Sequence, residues 1–521
     1  IVCGSQIDAT RAGVDANGIP ANLAADIAAC QPYNLFGAGA SSQAARDYVL
    51  TNTVSTGKIT QFVASGFMSG DLSQLFSLPG GPIGFAMGAE YRRETNSYQQ
   101  DPLVSGGYTF YNAIQDFNPP SFVVKEAYGE VRIPLLKDLP FIKSLEFNGA
   151  GRVADYKRGA GTVYSYNGGA DFAPTEDLRF RANYARSVRA PNLSELYSAQ
   201  SQNFAPGFAD PCSADNISGG STGRRAANCA AAGIPATYNY AYSQSLQILS
   251  GGNPDLRAEK SDSYTYGAVF TPRWVPGLTL SVDYYNIKVN DVISSVDAQS
   301  IVDQCYDAPN LNNQFCSSFT RVGAGGTGPS GEQAYRIVEG SLLQSSLNYA
   351  KLQVRGIDAD LTYSHRFGDT LLTSHFVYTH SLQNDSFLDP TQPGFADTTL
   401  GEVGVPKDAF NWNVGADFGK LFANIQFRYL SKMSVGAIEN HTTFQGRPPQ
   451  NLDDYDIPFY PDVFYMNARF GINVTDKSNF YFGIDNITDR VPPLGSTGIG
   501  GGTAIYENVG RRFYAGVVAN F

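Results

Sequence analysis

Side chains along much of this chain change character at every second residue. Leu278, Leu280, Val282 and Tyr284 alternate with Thr279, Ser281, Asp283 and Tyr285. Phe410, Trp412, Val414, Ala416 and Phe418 are set between Asn411, Asn413, Gly415 and Asp417, and Leu178, Phe180, Ala182 and Tyr184 between Arg179, Arg181 and Asn183. A strand sends successive side chains to opposite faces, whereas a helix returns to the same face only after 3.6 residues. Each segment therefore reads as a strand with one greasy and one wet face. Reading on from Lys58 in the same way predicts about fifteen strands, centred near residues 65, 90, 128, 150, 167, 183, 266, 283, 356, 376, 414, 426, 468, 482 and 515.

Alternation alone fits a soluble sandwich, whose greasy face meets a second sheet, as well as an outer-membrane barrel, whose greasy face meets lipid. Connection lengths separate the two. Short links (173–177, 272–277, 419–420, 475–478) alternate with long ones (about 190–260, 290–346, 383–408, 431–460 and 487–508), as when tight periplasmic turns alternate with extended outer loops. No stretch approaches the roughly eighteen consecutive apolar residues that a spanning helix needs, so membrane residence would fall to strands. Charged residues make up only 16% of the chain against 13% aromatic, with 54 glycines. That balance favours β-structure. The expected fold is all-β: a transmembrane antiparallel β-barrel in which residues 58–521 supply about fifteen of an expected twenty-two strands, preceded by an extracellular loop segment over 1–57. An odd strand count starting outside cannot close antiparallel, so about seven strands are expected upstream. The start at Ile1-Val2-Cys3-Gly4, without Met or a signal-peptide pattern, reads as a processed chain or a fragment.

A formal net charge of -11 argues against nucleic acid as a partner, since phosphates call for a basic face. The six cysteines fall in three neighbouring sets, Cys3 and Cys30, Cys212 and Cys229, Cys305 and Cys316. Local disulfides in an oxidising compartment are the simplest reading. Zinc is the rival, though no set has knuckle spacing and the chain has only 4 His. Two of these pairs would each limit the freedom of one long outer loop.

The last segment alternates Phe513, Ala515, Val517, Ala519 and Phe521 with Arg512, Tyr514, Gly516, Val518 and Asn520. It resembles the C-terminal signal that the barrel-assembly machinery recognises, carried by Phe513, Val517 and Phe521. The segments Arg186 to Tyr197 and Gly252 to Ser261 resemble TonB-dependent receptors, as do Gly81 to Arg92, Glu126 to Pro134, Val354 to Ala359, Gly483 to Asp489 and Gly510 to Phe513. In that family the first segment looks like a strand leaving for a large outer loop and the second like its return. The resemblance implies a receptor-transporter of the Gram-negative outer membrane that binds a scarce nutrient, such as an iron chelate or carbohydrate, and imports it to the periplasm. Its implied partners are membrane lipid, the barrel-assembly machinery and TonB, with the plug and TonB box lying before residue 1. The passive porin is the alternative, and an outer-membrane enzyme the more distant one.

Candidate ligand groups are Tyr238, Tyr240 and Tyr242 in the longest loop, whose rings and hydroxyls suit a sugar or aromatic chelate. A loop hairpin or an aromatic girdle is the plainer account of them. Arg189 and Asn192, with Glu195, are polar groups near the upper lumen, to be weighed between ligand contact and a latch for the loop. No catalytic set and no cofactor is expected. No metal site is expected either: Asp453, Asp454 and Asp456 read as a solvated loop, and His365, His375, His380 and His441 fit no ligand spacing. Gly323 to Gly328 does not join a strand to a helix start and so reads as a flexible loop, not a phosphate cradle.

Overall fold

The computed structural model describes residues 28–109, 113–157, 159–220, 222–242, 245–389, 392, 394–475, 477–496 and 505–519. Cys3, partner of the expected Cys3–Cys30 pair, and the terminal Phe521 lie outside the described residues. The chain divides into two compact units, residues 1–58 with 97–118, and residues 59–96 with 119–521. In the first, Ser42 caps the helix Gln43–Val49 by accepting the Ala45 N–H at 3.1 Å. Asp101 accepts the N–H groups of Leu103 and Val54 at 2.9 and 3.0 Å, fixing the start of the short helix Pro102–Ser105.

One antiparallel sheet dominates the structure. Fifteen strands follow one another in it in chain order, from Thr56–Asp71 to Arg512–Ala519, and the two-residue strand Asp397–Thr398 pairs onto Thr370–Phe387 as a sixteenth. Each of the fifteen contains one of the centres expected from the alternation. Register then turns the local pattern into two continuous surfaces. Leu361, Phe376, Trp412, Phe427 and Met466 oppose one another across five strands, forming an unbroken apolar row. One residue along, Thr362, His375, Asn413, Gln426 and Asn467 form a polar row on the other face. There the Asn467 amide donates to Gln426 Oε1 at 3.0 Å. A slip of one residue in any strand would put its amides in the greasy row, which is what fixes the register. Among the described residues no helix is long and apolar enough to cross a membrane, a fact that bears on helices alone.

The glycines serve the polar face. Arg181 and Asp283 lie on strands that both flank Gly267, and they are paired with it in register from either side. Arg181 Nε donates to Asp283 Oδ1 at 2.7 Å across the glycine, where a Cβ would lie 1.8 Å from that same oxygen. Gly483, opposite Tyr514, leaves room for the tyrosine ring in the same way, since a Cβ there would meet Tyr514 Cζ at 2.1 Å.

At the turn end of the sheet, Lys143 bridges Asp138 (2.6 Å) and Glu176 (2.9 Å), and Arg273 bridges Glu176 (2.8 Å) and Asp177 (3.0 Å). These charges alternate in sign across three neighbouring turns. Being exposed and screened by solvent, these pairs add little to stability.

Gly267→Val is expected to expel the Asp283 carboxylate and lower the sheet's stability by about 1–3 kcal/mol, read as a lower denaturation temperature of the detergent-folded chain. Gly168→Ala, where a Cβ meets nothing within 4 Å, is the matched control and is expected to leave that temperature unchanged.

Candidate functional site

At the end of the sheet opposite those turns, the two longest connections, residues 190–258 and 296–345, fold together into one cap. Ser201–Ala205 pairs antiparallel with Leu246–Ser250, and Leu343–Gln344 adds to the latter in parallel, so the small sheet draws strands from both connections. Its core interleaves Phe208, Ile234, Leu246 and Ile248 from the first with Ile301, Val302, Tyr306, Phe315, Ile337 and Leu342 from the second. Asp297 starts the helix Ala298–Asp307 by accepting the Ser300 N–H at 2.9 Å, and the helix buries Ile301, Val302, Cys305 and Tyr306.

Two ion pairs cross between the connections inside this core. Arg321 donates two bonds of 2.7 Å to the carboxylate of Asp210, a third of 2.7 Å to the Tyr306 hydroxyl and a fourth of 2.7 Å to the Tyr335 carbonyl. Asp210 is fully buried and also accepts the Tyr238 hydroxyl (3.0 Å) and the Cys212 N–H (3.0 Å). Burial works against the Arg321 charge, but the facing carboxylate outweighs it and the guanidinium's pKa rises. Arg225 likewise forks onto Asp307 (2.9 and 2.7 Å) and reaches Asp303 at 2.9 Å. Burial still raises the Asp303 pKa, against the pull of Arg225. Disulfides Cys212–Cys229 and Cys305–Cys316 are present, with Cα separations of 5.6 and 4.8 Å. Cys212, Cys229 and Cys305 belong to the shared core, so the bridges brace one body built from two loops.

The cap is rooted on the sheet by a latch. Arg189, last residue of Leu178–Arg189, opposes Glu259, first of Glu259–Phe270, and donates to it at 2.8 and 2.6 Å. The same guanidinium reaches Glu195 at 3.1 Å. Glu195 and Asn192 exchange side-chain and backbone bonds of 2.8 Å in a capping box that starts the helix Leu193–Tyr197. The Glu195 carbonyl then accepts the Asn253 N–H at 2.8 Å. A Cβ at Gly252 would lie 2.6 Å from Tyr197 N, so only glycine allows this approach. The segments Arg186 to Tyr197 and Gly252 to Ser261 thus meet at one joint.

The tyrosines divide. Tyr238 is buried with its hydroxyl on Asp210 and its pKa raised, first by burial and then by that charge. Tyr240 and Tyr242 stand edge to face, 4.9 Å between centroids, and line a cavity of about 320 Å³ with Phe204, Gln247, Ser330, Arg336 and Glu339. Arg336 lies 4.1 Å over the Tyr240 ring and 5.3 Å from that of Tyr242, and pairs with Glu339 at 3.0 Å. Burial pushes the Tyr242 hydroxyl up to about 12, keeping it a neutral donor. Ring faces, a guanidinium, a carboxylate and amide groups around one concavity suit a small ligand with ring and polar parts. Arg189 and Asn192 are engaged in the latch. Phe513 and Val517 lie exposed on the last strand.

Asp210 and Arg321 carry no local sequence pattern, since they stand 111 residues apart, and the neighbours Arg336 and Glu339 meet Tyr240 and Tyr242 only through the fold. The Gly323 to Gly328 stretch folds against Glu332, whose carboxylate accepts the Ser330 and Glu339 N–H groups at 2.8 and 2.9 Å. Asp454 accepts the Asn440 amide at 2.7 Å. Among the described residues no group of three His, Cys, Asp or Glu could hold a metal ion.

The family model described as TonB dependent receptor-like, β-barrel matches residues 11–487. Similar solved structures include the siderophore receptor PirA of Acinetobacter baumannii, 14% identical with TM-score 0.55, matched over 89% of this chain and 55% of that one. A ferric enterobactin receptor PfeA mutant of Pseudomonas aeruginosa is 15% identical, TM-score 0.55, over 89% and 54%. The FrpB iron transporter of Neisseria meningitidis is 12% identical, TM-score 0.50, over 88% and 55%. The chain therefore spans about half the length of these relatives, and the likeness is one of fold. No curated protein sequence matches it.

Arg321→Met is expected to strand the buried Asp210 charge and destabilise the cap by about 3–5 kcal/mol. Limited proteolysis should then cut within 190–258 and 296–345 many times faster while the sheet stays resistant. Unchanged cleavage would mean that the pair does not hold the cap together.

Proposed function

Because the chain belongs to the TonB-dependent receptor β-barrel family, we propose that it is the receptor and wall of an outer-membrane importer, taking up a small nutrient at the cap and delivering it to the periplasm. The observation that carries this reading is the Tyr240–Tyr242–Arg336–Glu339 cavity, a concave polar and aromatic site at the loop end of a sheet whose other face is apolar. Residues 58–521 act as the barrel and 1–57 as an extracellular segment. The turn carrying Arg273 faces the periplasm, and the cap faces outward.

Neighbours named as a siderophore receptor, a ferric enterobactin receptor and an iron transporter make an iron chelate the first cargo to try, with an oligosaccharide second. Transport of this kind is conformational, so no catalytic group is assigned. TonB and a plug supply the energy coupling from outside the described residues, and Phe513 and Val517 contribute to recognition by the barrel-assembly machinery. Tyr238, Arg189 and Asn192 act one step back from the ligand, by holding the cap and its root in place. A passive porin would have less use for a cap cross-linked by two buried ion pairs and two disulfides.

Titration of the detergent-folded chain with ferric catecholates, ferric hydroxamates and maltooligosaccharides, followed by intrinsic fluorescence, tests the reading. One class is expected to bind, and Tyr240→Ala or Arg336→Ala to weaken it by about tenfold, as loss of a ring or cation contact of about 1–2 kcal/mol would. Binding that ignores both substitutions would move the site elsewhere.

A further inference from the structure

The apolar face of the sheet carries a band of tyrosines on its cap side. Tyr164, Tyr166, Tyr264 and Tyr266 are exposed there, and the Tyr184 ring lies 6.2 Å from that of Tyr166 and 4.9 Å from that of Tyr264. They share the face of Phe180, Ala268 and Val282, which follow one another in register. Continuing along that face towards the cap, the side chains become charged. Arg186, Asp262 and Lys288 oppose one another across three strands. Lys260 stands two residues beyond Asp262, and Arg355 is opposite Asn286, two residues short of Lys288. Lys260, Lys288 and Arg355 are thus diagonal neighbours on three consecutive strands.

In this patch Arg186, Lys260, Lys288 and Arg355 outnumber the carboxylates near them: Asp262, Asp291, which lines one concavity with Lys260 and lies 3.9 Å from Arg257, and Asp385, which accepts the Gln383 amide. Arg186 uses the Asp262 carboxylate, at 2.7–2.9 Å, and the Tyr184 hydroxyl adds a bond of 2.6 Å. Lys260 and Lys288 are exposed and, among the described residues, make no ion pair. Arg355 Nε is buried without a hydrogen-bond partner. The unmatched positive charge lies on the face that the barrel presents to hydrocarbon, immediately past the aromatic band that marks where hydrocarbon ends. A long cationic side chain is tolerated there because its stem stays along apolar surface while its head reaches the polar layer. The diagonal crosses two strand spacings, about 10 Å, and so presents separated cations to a headgroup bearing more than one anionic group.

We propose that Lys260, Lys288 and Arg355 bind the phosphates of an outer-leaflet glycolipid, with Arg186 held ready beside them by Asp262. The proposal rests on the outer-membrane placement given above. Sugar rings of the headgroup would lie over the Tyr164–Tyr166–Tyr264 band and the acyl chains along the apolar rows below.

The test is native mass spectrometry of the full chain in detergent, titrated with bisphosphorylated lipid A. Wild type is expected to retain the lipid, and Lys260→Glu/Lys288→Glu to bind it at least about tenfold more weakly. Lys420→Glu, in a turn at the far end of the sheet, is expected to match wild type. Equal retention by wild type and the double variant would overturn the proposal. So would full displacement by millimolar inorganic phosphate, or equal binding of phosphatidylglycerol. A chain that stays dispersed without detergent would instead overturn the membrane placement itself, which separates the two failures.

Discussion

A strand cannot hide its two faces from each other's surroundings, because neighbouring residues point in opposite directions. Five consecutive strands of this sheet obey that constraint with the same parity. The Leu361–Phe376–Trp412–Phe427–Met466 row and the Thr362–His375–Asn413–Gln426–Asn467 row lie one residue apart over five strands. A single sheet built this way needs an apolar medium on one side and a polar one on the other. A bilayer around an aqueous bore meets that need, and the loop lengths, the tyrosine band and the charged turns then fall where the two boundaries of the hydrocarbon would be.

The strands also determine where the cap can stand. Arg189 and Glu259 end one strand and begin the next in direct register, so their ion pair closes the mouth of the loop between them. Glu259 additionally accepts the Ile293 N–H at 2.8 Å, which ties the root of the second cap connection to the same carboxylate. From that joint the two connections condense around Asp210–Arg321 and Arg225–Asp307. Buried pairs of this kind are costly to break and geometrically demanding. They join the two connections that supply Tyr240 and Arg336, whose guanidinium lies 4.1 Å over the tyrosine ring.

What could be seen in the sequence follows from the range of the interactions. The period-two pattern is local, so each of the fifteen wall strands was visible at its centre, and the disulfide pairs Cys212–Cys229 and Cys305–Cys316 were visible as near neighbours. The glycine of the Arg181–Gly267–Asp283 crossing was not, because its partners come from two other strands. The joint fold of the two loops was not visible either. Each taken alone shows a cysteine pair and scattered hydrophobic residues, and the pairing of Asp210 with Arg321 exists only after both have folded. The alternation of Tyr238, Tyr240 and Tyr242 was legible, but which of them meets the core and which the cavity depends on Asp210 and Arg336, far away in the chain. The charged patch around Lys288 escaped notice for a related reason: Lys260, Lys288 and Arg355 each sit in a separate strand and are joined only by register.

The two tryptophans provide the most direct measurement of the central claim. Trp412 sits in the apolar row, while Trp274 is exposed in a turn at the end of the sheet away from the cap. In bilayers of lipids brominated at defined depths, Trp412 fluorescence, isolated with Trp274→Phe, is predicted to be quenched most by bromines within the acyl chains. Trp274, isolated with Trp412→Phe, should respond to bromines near the headgroup or to none. Quenching of Trp412 by a water-soluble quencher alone, with no response to brominated chains, would contradict a lipid-facing apolar row and with it the account of the sheet as a membrane wall.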